Sequence, residues 1–91
     1  MQPLDGDLHG ALGDLLLDSA RAEEALREYE ILLALDPHDR AAAHLRLARA
    51  HSTIGNFDLS RQNLLAALDI APGYRPAQRL LLELKRAEQD Q

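Results

Sequence analysis

The stretch IGNFDLSRQNLLAALDIAP, residues 54–72, decides the fold of this 91-residue chain. Gly55 precedes an apolar run and Pro72 follows it, and both residue types commonly mark turns at helix ends. Within the run, small or apolar residues recur at the spacing of one face of a helix, at Phe57, Ser60, Leu64, Ala67 and Leu68. The stretch therefore predicts a helix over residues 57–70 with a turn on each side.

The same plan recurs 35 residues earlier in the chain. A displacement by that number places Tyr29 on Leu64 and Pro37 on Pro72. Stripes of the same period predict further helices over residues 6–18, 22–35, 41–54 and 76–88. A helix pair that recurs at a fixed period and ends at a proline turn indicates a helical-hairpin repeat, in which one hairpin must stack on the next to cover its apolar flank.

Small residues occupy the positions where the two helices of each predicted hairpin would touch. Gly13 would face Ala25 in the first hairpin, and Ala48 would face Ser60 in the second. Small side chains let two helix axes approach at the short end of the usual range of about 8–10 Å. We therefore expect these four positions to form the closest helix contacts of the fold.

These residues resemble the tetratricopeptide repeat family. The second unit carries the family pattern at Leu47-Ala48, Gly55-Asn56-Phe57-Asp58, Ser60, Leu64, Ala67 and Pro72, and the first unit carries it at Leu12-Gly13, Ala25, Tyr29, Leu32 and Pro37. One departure is Ala20, which stands where the family has the turn glycine. We expect that turn to be distorted or helical.

The predicted fold is all-α, a right-handed α-solenoid of five helices built from two tetratricopeptide-like hairpins and a C-terminal capping helix. Twenty leucines, fifteen alanines and only three aromatic residues agree with that class. We divide a single domain, residues 1–91, into repeat one at about 6–39, repeat two at about 41–74 and the cap at about 76–89. The cap is predicted to be a lone helix because Glu83 would occupy the small-residue position of a third unit.

Composition argues against several classes of function. The chain has no cysteine, so it has no disulfide, thiolate metal site or cysteine nucleophile. A net charge of −5 disfavours nucleic acid as a partner. No apolar run approaches the ~18 residues of a membrane span, and the N-terminus lacks the pattern of a signal peptide, which together favour the cytoplasm without membrane insertion. Nine arginines against one lysine suggest a bacterial source.

Charge is distributed unevenly along the chain. Residues 1–40 hold ten acids and three arginines, a balance of −7, whereas residues 41–91 hold five acids and seven bases, a balance of +2. Such an uneven distribution is typical of solvent-exposed surfaces whose charges have no specific role. The alternative is a field that steers a partner or favours head-to-tail stacking of copies.

No residue pattern indicates catalysis. The serines stand outside any Gly-x-Ser-x-Gly motif, and no glycine-rich phosphate loop follows a predicted strand. His44 and His51 are seven residues apart, roughly 10 Å along a helix, which is too far for one metal ion. We interpret both as packing residues in place of aromatic ones, with a pH-sensitive contribution as the alternative. The chain is predicted to be no enzyme and to bind no cofactor and no metal.

The family resemblance implies a concave groove that is lined by the first helix of each pair and holds a peptide or helix of a partner protein. Carried onto this chain, the groove residues are Asp14, Leu17, Asp18, Leu45, Arg46, Arg49, Ser52, Thr53, Leu81 and Leu84. The helical spacing independently places Arg46, Arg49 and Thr53 off the packing stripe, where they are either groove residues or plain solvated ones. A carboxylate clamp known in some family members is mostly missing from the matching positions.

The leading hypothesis for function is therefore a protein–protein interaction module, a scaffold or adaptor. Two alternatives stay open. One is self-association as a homodimer through the C-terminal helix, whose leucines at 80, 81, 82 and 84 exceed what one buried stripe needs. The other is an accessory domain of a larger multidomain protein.

Overall fold

The computed structural model describes residues 5–35 and 37–89, so Asp36 and both ends of the predicted domain lie outside the described residues. These residues form five helices and no strand. The helices are α1 (Asp5–Asp18), α2 (Ala22–Ala34), α3 (Arg40–Thr53), α4 (Phe57–Ile70) and α5 (Arg75–Gln89). The all-α prediction is confirmed, and no predicted helix end is displaced by more than one residue.

The helices stack in chain order. α1 packs chiefly on α2 and α3 chiefly on α4, while α2 joins the two hairpins by packing on α3, and α5 packs on α4. The molecule measures 48 × 29 × 16 Å, which is the shape of an elongated array two helices thick. These contacts confirm a helical-repeat architecture, and the right-handedness of its superhelix stays a prediction.

The predicted contact of Ala48 with Ser60 is present in the second hairpin, whereas the atoms nearest Gly13 in the first belong to the ring of Tyr29 and not to Ala25. Ala25, Ala48 and Ser60 have no exposed surface, and a methyl group built on Gly13 would overlap the ring of Tyr29. The Ser60 hydroxyl donates a hydrogen bond of 2.8 Å to the Ala48 carbonyl oxygen, so the one buried polar side chain among the described residues is satisfied. Small residues thus set the spacing of each hairpin, as expected.

The first hairpin turns through a Schellman motif at the end of α1. The Arg21 amide donates to the Leu16 carbonyl oxygen at 2.8 Å, and the Ala20 amide donates to the Leu17 carbonyl oxygen at 3.1 Å. This motif requires a left-handed backbone at its central residue, and Ala20 has a φ of 63°.

The second hairpin has the same turn 35 residues later. The Asn56 amide donates to the His51 carbonyl oxygen at 2.8 Å, and Gly55 has a φ of 87°. The expectation that the first turn would be distorted or helical is therefore wrong. Its two hydrogen bonds hold Ala20 in a conformation that glycine adopts without steric cost.

Two histidines of α3 are half-buried, in agreement with their interpretation as packing residues. The Nδ1 atom of His44 lies 2.9 Å from the Asn63 side-chain oxygen. The Nδ1 atom of His51 is buried and finds no hydrogen-bond partner among the described residues. Burial lowers the pKa of His51 below its ordinary value of 6.5, against a smaller opposing effect of the Glu30 carboxylate.

The strained alanine gives a prediction about turn stability. Ala20→Gly should raise the free energy of unfolding by about 0.5–1 kcal/mol, because relief of the left-handed strain exceeds the added entropy of the unfolded chain. Urea denaturation measures it. Gly55→Ala is the matched control, since no atom lies within 4 Å of the added methyl group and only the backbone is strained. It should lower stability by about 1 kcal/mol, and a stabilising Gly55→Ala would contradict this explanation.

The buried imidazole predicts a pH dependence of stability. Because the pKa of His51 is lower in the folded protein than in the unfolded chain, its contribution should be complete above pH 6.5 and be lost as the pH falls below that value. His51→Phe should therefore flatten the decline in unfolding free energy between about pH 7.5 and 5.5. His38→Gln, in an exposed turn, serves as the control and should leave the decline unchanged. Identical pH profiles for wild type and His51→Phe would contradict the prediction.

Candidate functional site

A shallow groove of about 450 Å³ opens to solvent where α1, α3 and the start of α5 meet. We call it the inner groove, and its lining residues are Asp14, Asp18, Ala42, Leu45, Arg46, Arg49, Tyr74 and Pro76. Charged side chains of both signs thus stand beside apolar and aromatic surface. A groove of this size admits a few side chains of a docked segment rather than a small molecule enclosed on all sides.

One wall of the inner groove is an ion pair between the two hairpins. Arg46 of α3 donates two hydrogen bonds to the Asp14 carboxylate of α1, from Nε at 3.2 Å and from Nη2 at 3.1 Å. This paired geometry holds both side chains in one orientation. Gly10 makes room for it, because a methyl group there would stand 2.8 Å from an Arg46 nitrogen.

Tyr29 of α2 also hydrogen-bonds to the Asp14 carboxylate. Its hydroxyl donates a hydrogen bond of 2.6 Å to Asp14, and its ring is buried under α1 at Gly13. Burial, followed by the hydrogen bond and the charge of Asp14, raises the pKa of Tyr29 far above its ordinary value, with Arg46 and Arg49 opposing. Tyr29 therefore stays protonated and acts as a fixed donor to the Asp14 carboxylate.

Arg49 differs from Arg46 in having no fixed partner. It is exposed, and no hydrogen bond or ion pair within residues 5–35 and 37–89 involves its guanidinium. Asp18 is the other exposed charge of the inner groove. With Asp14 and Arg46 neutralising each other, these two side chains determine what charge a docked segment meets.

The structure brings half of the predicted groove residues together. Asp14, Asp18, Leu45, Arg46 and Arg49 line the inner groove, although Leu45 is only 5% exposed and forms part of its floor.

The other half lies elsewhere. Leu17 packs on the core cluster between the hairpins, Ser52 is half-buried, and the Thr53 hydroxyl donates to the Arg49 carbonyl oxygen. Leu81 and Leu84 pack on the core of α3 and α4, where Leu84 is 3% exposed. The reason is that α5 packs on α4 and α3, so the stripe of these two leucines faces the core instead of the groove.

Sequence reasoning missed Ala42, Tyr74 and Pro76. Ala42 lies in the first turn of α3, while Tyr74 and Pro76 lie where α5 begins. The only signal that could have found the last two is that they follow the turn at Pro72, next to the repeat boundary, because a boundary between units is where neighbouring helices leave a cleft.

The C-terminal helix exposes little apolar surface through which two copies could associate. Leu80 and Leu81 pack against the core and Leu84 belongs to it, so Leu82 alone of the four leucines is half exposed, at 50%.

Within the described part of the chain, no group of three or more metal-binding side chains is found. The described helices are also too short or too polar to cross a bilayer.

Comparison with known proteins identifies the second hairpin. Residues 41–74 match the family model described as tetratricopeptide repeat. Searches of curated proteins and of solved structures gave no match. The matched segment covers α3, α4 and the turn up to Tyr74, and it is a tetratricopeptide repeat. Such repeats generally mediate protein–protein interactions and are generally not catalytic.

The wall of the inner groove gives a prediction about stability. Tyr29→Phe should lower the free energy of unfolding by about 1–2 kcal/mol, because the ring still packs on Gly13 but the donor to Asp14 is lost. Chemical denaturation measures the loss. Tyr74→Phe is the matched control, because Tyr74 is half-buried without a hydrogen bond from its hydroxyl among the described residues, and it should change stability little. Equal effects of the two substitutions would show that the hydrogen bond contributes nothing.

Proposed function

We propose that this protein is an interaction module whose inner groove binds a segment of a partner protein without chemistry. The observation that carries the proposal is Arg49, an exposed guanidinium without an ion-pair partner in the described chain, standing in a concave groove beside apolar side chains. An arginine in this setting offers a paired hydrogen-bonding site for a carboxylate. The bound segment is therefore expected to carry Asp or Glu.

Apolar surface defines the rest of the segment. Leu45, Tyr74 and Pro76 line the groove beside the two arginines, and burying apolar side chains against them would contribute most of the binding free energy. The segment is either an amphipathic helix or an extended peptide, because both can present a carboxylate next to an apolar side chain.

Two charges that the ion pair leaves free determine which charges the segment should carry. Arg46 is held by Asp14, so it contributes a wall of stable shape rather than a free charge. Asp18 would repel a carboxylate and Arg49 would attract one. We therefore expect an acidic residue of the partner to contact Arg49 and a neutral or basic residue to lie nearest Asp18.

A displayed peptide library, selected against the wild-type chain, tests the proposal. Selected peptides should carry an acidic residue next to aliphatic ones. Their affinity should fall by more than about tenfold for Arg49→Glu, which reverses the charge of the free guanidinium. Arg49 is preferred to Arg46 for this test because Arg46→Glu would set two carboxylates against each other and disturb the fold.

The control is Arg27→Glu, an equal change of charge at an exposed residue of α2, a helix that does not line the groove. It should leave the affinity of the selected peptides within about twofold, since a distant surface charge is screened by salt. Selected peptides without acidic residues, or equal losses from both substitutions, would reject the inner groove as the binding site.

A further inference from the structure

A second exposed surface lies at the opposite end of the array from α5. Five large aliphatic side chains on α1 and α2 are 40–63% exposed, and we call them the N-terminal face: Leu8, Leu12, Leu15, Ile31 and Leu35. On α1 they are spaced by four and three residues, and on α2 by four, so each set lies on one side of its helix. A methyl group built on Gly10 would lie 3.5 Å from Leu32 Cδ2, so the end of α2 lies beside the beginning of α1.

The repeat shows that this face is built for helix packing. Displaced by 35 residues, the three α1 leucines fall on Ala43, Leu47 and Ala50 of α3, which are 1%, 5% and 0% exposed. Leu47 and Ala50 belong to the core cluster that α2 covers. The equivalent side of α1 has no helix against it among the described residues, although its side chains are larger and more apolar.

The residue types on this face favour a second copy of the same chain. Leu8, Leu12 and Leu15 have the alternating four-and-three spacing of a coiled-coil seam, in which leucines of one helix fit between those of another. Two identical seams can interlock about a twofold axis, because each surface then meets its own complement. Ile31 and Leu35 would extend the contact on both sides, giving a bundle of two α1 and two α2 helices.

The charges around the face are also compatible with a copy. Arg21 donates two hydrogen bonds of 2.6 Å to Glu24, and His9 lies 2.7 Å from Glu28. Because these groups already have hydrogen-bond partners within the hairpin, a face-to-face contact would leave none of them without a partner.

A head-to-tail contact is less favourable. The outer side of α5 presents one half-exposed leucine, Leu82, among the exposed cations Arg75, Arg79, Lys85 and Arg86. Attraction of these cations to the acidic half of another copy would be weakened by salt, whereas burial of apolar surface is not. The aliphatic side chains would also meet charged groups instead of one another.

We propose that two copies of this chain associate face to face through the N-terminal face. A standard interface buries about 800 Å² on each partner, of which five half-exposed aliphatic side chains supply roughly half and the surrounding polar residues the remainder. The inner groove stays open in the dimer, since Asp14 and Asp18 lie on a different side of α1 from the leucines. The proposal therefore does not rest on the proposed function.

Sedimentation of the full chain over a wide range of concentrations tests it. A monomer–dimer equilibrium should appear and persist at high salt. Leu8→Glu with Leu15→Glu should weaken dimerisation at least about thirtyfold, because it places charges in the seam. Both leucines are 63% exposed, so circular dichroism should show unchanged helicity. The matched control is Leu65→Glu with Leu82→Glu, at 53% and 50% exposure outside the face, which should leave the dimer intact.

Disulfide formation gives a second readout, because the chain has no cysteine of its own. Leu12→Cys should yield a covalent dimer on mild oxidation, whereas Leu82→Cys should not. A monomer at every concentration would overturn the proposal. So would a dimer that survives the seam substitutions, or one that dissociates in salt and is lost with Leu82→Glu, since the latter is the behaviour of head-to-tail contact.

Discussion

The packing of α1 on α2 and α3 depends on two positions where α1 has no side chain. At Gly13 the missing methyl group admits the ring of Tyr29, and one turn away at Gly10 it admits the guanidinium of Arg46. Both groups then reach the Asp14 carboxylate between them. The contact that brings the first two helices together therefore also builds a wall of the inner groove, so the spacing of the first hairpin and the shape of the candidate site have one cause.

The second hairpin reaches the same spacing with different chemistry. Ser60 is fully buried at the crossing of α3 and α4, and its hydroxyl donates to a backbone carbonyl of the facing helix. A buried hydroxyl without that acceptor would destabilise the contact, so the hydrogen bond is what allows serine in place of alanine or glycine. Two hairpins that share little sequence thus obey one geometric requirement, which is small volume at the crossing.

Local signals explain how much of the fold was predictable. The helix ends could be predicted from the apolar stripes of the helices and from Pro37 and Pro72, because the effects of these features act within one turn of the chain. The conformation of the turn at Ala20 was not predictable, because hydrogen bonds across the end of α1 impose a backbone conformation that alanine does not prefer. The groove was predictable in part on α1 and α3, where the repeat fixes which side faces inward, although Leu17, Ser52 and Thr53 of these helices do not line it. It was not predictable at α5, whose orientation depends on what packs against it, and Leu84 turned inward as a result.

The two ends of the array meet the same physical problem in different ways. A helical repeat always leaves an apolar flank at each end, and the flank must be covered or made polar. At one end α5 covers the core with Leu84 and turns charged residues outwards. At the other end α1 presents leucines on one side and Asp14 on another, so a single helix serves both the N-terminal face and the inner groove. A partner that binds α1 only when α1 is folded stabilises the folded helix. Binding at one surface of α1 therefore increases the fraction of molecules in which the other surface is also formed. Such linkage requires no second folded conformation. The two surfaces influence each other only through the free energy of folding of α1.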